Sequence, residues 1–381
     1  MSVHTPVDPD GLREFSVVFT ERSLNHMSQK FQQVMRDISA TLKRTYGATA
    51  AVLVPGGGTY GMEAIARQFA GGRKCLVIRN GYFSYRWSQI FELGQIPRET
   101  IVLKASPIAP GSHQPWAPPP LAEVLAVVRR EKPDLVFAAH VDTSSGLILP
   151  RDYVRAVGEA VHEHGGLFVL DCVASGTVWV DMGECAVDVL LSAPQKGWSA
   201  SPCAALVMLG AAAAERIQQT RSTSFAGDLL RWLQIMQAYE QGGHAYHATL
   251  PTDTLARFSE SMQETVAFGL AEVERKQWEL GNRVRALLAA HGFASVAAPG
   301  FEAPGVVVSY TDDPLIQNGK RFAQVGLQIA AGVPLMCDEP ADFRSFRLGL
   351  FGLDKWRDVD GTVAALQHAL ESVAPANVLS R

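Results

Sequence analysis

From residue 31 onward, apolar side chains recur at steps of three and four. Phe31, Val34, Met35, Ile38, Leu42 and Tyr46 fall on one helical face, and Ser28 just ahead offers an N-cap hydroxyl. The pattern then turns to short apolar runs alternating with helical ones. Residues 50–54 (AAVLV) read as a strand, followed by a GGG turn and a helix over 59–70 with Met62, Ile65, Ala66 and Phe69 inward. The same alternation predicts strands at 75–78, 135–139 and 167–170, and helices at 83–93, closed by Gly94, and at 153–164, ended by Gly165-Gly166. Apolar runs at 187–191 and 204–209 add two further strands, whereas proline-rich 102–120 reads as a connection with little regular structure. Strand–helix alternation of this kind predicts an α/β fold, a mostly parallel sheet between two layers of helices.

Past residue 255 the period lengthens into a charged helical stretch over 255–292, leading to a smaller α/β unit that ends in a helix over 356–373. The expected organisation is an N-terminal arm (1–23), a large domain (24–262) and a small C-terminal domain (263–381).

Composition narrows the possible roles. A chain of 381 residues, 47% hydrophobic, can bury one large core and a second smaller one. A net charge of −4 provides no basic footprint for nucleic acid or an anionic membrane surface. No apolar run approaches the length of a membrane span, and the polar start MSVHTPVDPDGLREF lacks the regions of a signal peptide. The five cysteines (Cys75, Cys172, Cys185, Cys203, Cys337) show no metal or redox spacing, so neither a metal site nor a disulfide framework is expected. They read as small buried side chains in a reducing cytoplasm.

Against that background a few residues stand out. Lys196 lies in SAPQKGWSASP, between two apolar strands, with no acid within seven residues on either side. Asp171 closes the strand of LFVLDCVAS, at the sheet edge where open α/β folds bind ligands. A lysine and a carboxylate delivered to one edge can form a Schiff base with an aldehyde and hold a protonated heterocyclic nitrogen. Asp171 taken alone reads as a capping or turn aspartate, as most strand-end aspartates do. The segment VPGGGTYGMEA places Gly56, Gly57 and Gly58 before a helix, where backbone N–H groups and the helix dipole suit a phosphate. It also reads as a plain strand-to-helix turn. Thr143, Ser144 and Ser145 follow the 135–139 strand, Phe83 follows the 75–78 strand, and Arg347 interrupts the apolar run FRSFRLGLFG without a nearby acid. That arginine is either paired in the interior or placed for an anionic ligand.

Taken together, VLDCVAS followed by SAPQK, the glycine turn with EA in the next helix, and FRLGLFG near the end resemble the class V, fold-type I pyridoxal-phosphate enzymes. The likeness spans roughly 24–375 and is greatest to the branch of alanine–glyoxylate, serine–pyruvate and 2-aminoethylphosphonate–pyruvate aminotransferases. The resemblance implies pyridoxal 5′-phosphate as cofactor, with Lys196 bound to its aldehyde and Asp171 paired with its ring nitrogen. It implies a phosphate cradle of Gly57, Gly58, Thr59 and Gln195, a stacking aromatic at Phe83, and the Thr143 hydroxyl near the ring oxygen. In YHATLPT, Tyr246 and Thr249 match residues that reach the phosphate of the neighbouring subunit, implying an obligate homodimer with shared sites. Arg347 matches the arginine that holds the substrate carboxylate.

The implied reaction is ping-pong transamination from a small amino acid or aminophosphonate to glyoxylate or pyruvate. Lyase, kynureninase-like or desulfurase-like chemistry on the same scaffold is the alternative, the last needing a nucleophilic cysteine such as Cys337. One departure stands out: relatives carry a Gly-Pro-rich loop where this chain has VVFTERSLNHMS (17–28). Within it Arg22 offers either a second anion contact or an ion pair with Glu21 or Glu14.

Overall fold

The structure is a computed structural model that describes residues 23–373. The arm residues before position 23, Arg22 among them, lie outside the described residues, as does the C-terminus after Val373.

Helix α1 (Gln29–Tyr46) starts as expected: the Ser28 hydroxyl accepts from the Phe31 N–H at 3.1 Å, and Gly47 closes the helix at φ 65°. Phe31, Met35, Ile38 and Leu42 are wholly buried. Each contributes about 1.5–3 kcal/mol from area removed from water, and truncation such as Ile38→Ala costs about 2–5 kcal/mol once the cavity is counted.

Seven strands form the central sheet: β1 (Ala50–Pro55), β2 (Lys74–Arg79), β3 (Glu99–Lys104), β4 (Leu135–Ala139), β5 (Leu167–Asp171), β6 (Val189–Ser192) and β7 (Ala204–Leu209). Their order is β1-β7-β6-β5-β4-β2-β3, parallel except that β7 runs antiparallel to both neighbours. Strands β4 to β7 are buried along their whole length, which explains why they read as unbroken apolar runs. Helices α2 (Gly58–Phe69), α3 (Tyr82–Gly94), α4 (Leu121–Glu131) and α5 (Arg151–His162) join the parallel strands.

Several elements differ from the sequence expectation. The stretch over 102–120 is not wholly irregular, because β3 takes its first residues and forms the sheet edge; ETIVLK is half exposed, so its apolar signal is weak. Helix α4 follows the prolines and was not expected. Nor were α6 (Ala211–Arg216) and α7 (Leu229–Glu240). The long helical stretch is two helices, α8 (Thr252–Phe268) and α9 (Leu270–Ala290), broken at Gly269, whose φ of 102° a helix cannot accommodate. The last helix is likewise preceded by a separate short one, Leu353–Arg357.

The largest core cluster draws on residues from Leu24 to Met262, and a second begins at Val273. A third joins the two parts, packing Ala174, Val141 and Trp116 against Val306, Val308 and Tyr310. The C-terminal part carries a three-stranded antiparallel sheet of β8 (Val306–Tyr310), β9 (Ala330–Ala331) and β10 (Ser345–Gly349), with β10 in the middle. No helix among the described residues is long and apolar enough to cross a membrane.

Candidate active site

A cavity of about 410 Å³ opens at the carboxyl ends of β4, β5 and β6, where the sheet meets β8–β10. Asp171, Lys196, Gln195, Thr143, Phe83 and Arg347 all line it, as do Gly58 and Thr59 at the start of α2. Eight of the sequence-expected residues therefore converge, although they span most of the chain. The strand ends deliver Asp171 and Thr143, loops deliver Gln195 and Lys196, helix starts deliver Gly58, Thr59 and Phe83, and β10 delivers Arg347.

Asp171 is 6% exposed. Loss of hydration pushes its carboxyl up to about 7, a further push coming from nearby Asp142, while the Val173 N–H, donating at 2.9 Å, and the charge of Arg86 act against it. Lys196 is held below its ordinary range, first by burial and then by the positive charge of Arg347. Its Nζ stands 5.0 Å from the centre of the Phe351 ring.

The loop carrying Lys196 is pressed against the loop that follows Asp171. A Cβ at Gly197 would come within 2.0 Å of the Gly176 carbonyl oxygen, so only glycine permits this approach. His140 braces the same region. Its backbone N–H donates to the Asp171 carbonyl at 2.9 Å, and its Nδ1 pairs with the Ser175 hydroxyl at 2.7 Å. Burial pulls the His140 imidazole down to about 4, so it stays neutral near pH 7.

Phe83 sits in the first turn of α3, and Asp142 sets that turn. The fully buried carboxylate of Asp142 accepts from the Ser84 N–H and the Ser84 hydroxyl, both at 2.8 Å, and from the Ser144 hydroxyl at 2.6 Å. The Ser144 hydroxyl in turn accepts from the Tyr82 N–H at 2.7 Å. Of the three hydroxyls singled out in sequence, Thr143 lines the cavity, whereas Ser144 and Ser145 satisfy backbone.

Three expected residues fall elsewhere. Gly57 is the uncapped N-cap of α2, beside the cavity lining rather than in it. Tyr246 and Thr249 line a separate cavity of about 130 Å³ with Leu24 and Trp232, their hydroxyls 3.3 Å apart. Within one protomer they are not brought to the Lys196 site.

The comparisons with known proteins bear on what this cavity serves. The class-V aminotransferase family model matches residues 14–309. The chain belongs to the class-V aminotransferases. This class-V aminotransferase is 26% identical to the alanine–glyoxylate aminotransferase of Oryctolagus cuniculus over 373 residues, covering 93% of this chain and 88% of that protein. It is 27% identical to a 2-aminoethylphosphonate–pyruvate transaminase of Vibrio cholerae over 348 residues, covering 89% and 88%. The crystal structure of an alanine–glyoxylate aminotransferase from Nostoc sp. superposes with a TM-score of 0.75 at 21% identity, covering 91% of this chain and 89% of that one. That likeness shows the fold, a fold-type I architecture.

Class-V aminotransferases depend on pyridoxal 5′-phosphate, and the residues of this chain fit that group. The first-turn N–H groups of Gly58 and Thr59 lie ahead of any intrahelical partner, and no side chain caps α2. The Gln195 side chain lines the cavity with its oxygen unpartnered, so that oxygen can take a ligand donor while the amide group can donate to a phosphate. A buried carboxyl held near neutrality suits a protonated ring nitrogen, whose charge would draw it back to the ionised form.

Two cavity residues escaped the sequence reading, Arg86 and Phe351, as did Asp142, which lies behind the lining and sets the first turn of α3. Phe351 belongs to the segment quoted for Arg347 and Arg86 lies three positions after Phe83, yet nothing in their own spacing distinguishes them from core aromatic and surface arginine. The nucleophilic role considered for Cys337 has no support in the fold. Its thiol is buried, pushed up to about 12 by burial, lies 3.5 Å from the Arg79 carbonyl oxygen and is not in the cavity lining.

Proposed function

We propose that this aminotransferase moves an amino group from a small amino acid or aminophosphonate to glyoxylate or pyruvate, in two half-reactions at the Lys196 cavity. The observation that carries the reading is the meeting of Lys196, Asp171 and Arg347 in one cavity. The acceptors follow relatives named for glyoxylate and for pyruvate; one of these, from Paracoccus denitrificans, is named an L-aspartate–glyoxylate aminotransferase.

When bound, pyridoxal 5′-phosphate supplies the aldehyde that takes up the amino group and the ring that spreads the electron pair left at Cα. The remaining work belongs to the chain. Gly58, Thr59 and Gln195 would hold the phosphate, with Gly57 setting the turn just ahead of them, Phe83 would stack on the ring, and Thr143 would face the ring oxygen. Asp171, as a carboxylate, keeps the ring nitrogen protonated. Arg347 binds the substrate carboxylate; its Nε donates to the Ala331 carbonyl at 2.8 Å, which leaves the terminal nitrogens for a fork-like pair. Lys196 Nζ is the base. Its lowered pKa raises the unprotonated share, which would take the proton from the substrate Cα and pass it to the former aldehyde carbon of the cofactor. The apolar walls, Met62, Val306 and Phe351 among them, limit water at the reacting atoms.

The same reading takes residues 24–262 as the cofactor-binding domain and 263–381 as the small domain. It makes the protein a cytoplasmic homodimer in which Tyr246 and Thr249 reach the partner's phosphate site. Tyr60, Phe225 and Tyr246 are 66%, 80% and 58% exposed in one protomer, which supports a surface covered by a second copy.

A half-reaction screen tests the function. The cofactor-loaded protein is mixed with alanine, serine, aspartate or 2-aminoethylphosphonate, and its visible spectrum is followed. At least one amine should abolish the band with release of one oxo compound per site, and glyoxylate or pyruvate should restore it. Release of sulfide from cysteine, or no response to any amine, would count against transamination.

A further inference from the structure

Arg86 is a cation without a counter-ion: no described carboxylate lies within ion-pair distance of it. It lines the same cavity as Lys196 and Asp171. Two contacts set its position. Nη1 donates to the Thr59 hydroxyl at 3.0 Å, and the guanidinium carbon sits 4.8 Å from the centre of the Phe83 ring. Arg347 approaches that ring too, with its guanidinium carbon 5.5 Å from the centre. Two guanidinium groups thus attend one aromatic ring, but only Arg86 is tied to the first turn of α2. There it stands beside the free N–H groups of Gly58 and Thr59, on the side of the cavity that draws an anion. A helix N-terminus supplies partial charges, whereas a phosphate dianion in a partly buried site calls for a full one.

We propose that Arg86 is the cationic member of the cofactor-phosphate cradle, completing Gly58, Thr59 and Gln195. This rests on the cofactor placement proposed above. Arg86 neutralises the phosphate while its Thr59 bond and its stacking on Phe83 fix the guanidinium plane. It is therefore a cofactor-positioning residue, distinct in task from Arg347, which serves the substrate carboxylate. The alternative use of Arg86, gripping a second acidic group of the substrate, would leave cofactor affinity unchanged.

The test compares pyridoxal 5′-phosphate with pyridoxal, which has the same ring and aldehyde but no phosphate. Binding of each to the full-length apoprotein is titrated by absorbance for the wild type, Arg86→Gln, Arg86→Lys and Arg347→Gln. Loss of a charge-assisted contact should weaken phosphate-form binding about 10- to 100-fold in Arg86→Gln. Pyridoxal binding should barely change, Arg86→Lys should recover part of the loss, and Arg347→Gln should keep the wild-type preference. Inorganic phosphate should raise the melting temperature of the wild-type apoprotein more than that of Arg86→Gln. If Arg86→Gln keeps the wild-type preference for the phosphate form, or weakens both ligands equally, the assignment is overturned while the cofactor site stands. A wild-type protein that binds neither ligand overturns both.

Discussion

Asp171→Asn keeps the size and shape of the side chain and removes its ability to ionise. In the wild type without cofactor, burial lifts this carboxyl from 3.8 to about 7. A group that binds its proton more tightly when folded contributes stability that is complete below its unfolded value and lost as pH rises to the folded value. The window therefore runs from about pH 4 to about pH 7. At 1.36 kcal/mol per unit, the ionised carboxylate costs the empty protein roughly 4 kcal/mol above that window. An asparagine avoids this cost, and its amide oxygen can still accept from the Val173 N–H. Urea unfolding of the apoprotein at a series of pH values is the assay. Asp171→Asn should match or fall slightly below the wild type at pH 4, exceed it increasingly up to pH 7, and hold a constant advantage beyond. The same variant should lose several orders of magnitude in turnover, because the ring nitrogen loses its anionic partner. An apoprotein of Asp171→Asn less stable than the wild type at pH 8, or an advantage independent of pH, would refute the account of this carboxyl.

Other substitutions probe separate parts of the site. Lys196→Ala should abolish turnover and the visible band of the lysine-bound cofactor while unfolding cooperatively, as checked by absorbance and circular dichroism; retained turnover would remove Lys196 from the mechanism. Arg347→Ala should raise KM for carboxylate substrates by about 10- to 100-fold with a smaller effect on cofactor affinity. It should also raise the pKa of Lys196, moving the acidic limb of the kcat profile upward, since the Arg347 charge helps to hold that lysine down. Gly197→Ala should impair both folding and cofactor binding, because its Cβ would collide with the Gly176 carbonyl. His162 pairs with buried Asp188 at 2.8 Å, and this raises the His162 pKa. Its stabilisation is complete below the ordinary histidine value and fades as pH rises through the raised one. His162→Gln should thus cost about 1 kcal/mol at pH 5.5, measured by urea unfolding, and much less at pH 9.

Strands β4 to β7 were legible because residues buried on both faces leave unbroken apolar runs, and α1 because its stripe sits behind a serine cap. Those same runs exposed the site, since Asp171 and Lys196 are polar residues set against apolar surroundings. Strand β3 was missed for the opposite reason: an edge strand half in water mixes charged and apolar residues. The break at Gly269 was hidden by a periodicity that continues on both sides of it. Arg86 and Asp142 carry no sequence signal because their partners, Thr59 and Ser84, come from elements 27 and 58 positions away. Tyr246 and Thr249 could be tied to the site only through resemblance, and one protomer keeps them in a cavity of their own.

The central claim is that Lys196 holds the cofactor at the Asp171 strand end. Reducing the cofactor-loaded protein with borohydride fixes the carbon–nitrogen bond, and peptide mass spectrometry then locates it. The account predicts a single phosphopyridoxyl group, on the peptide containing Lys196. A label on any other lysine, or none in a protein that is nonetheless active, would contradict it.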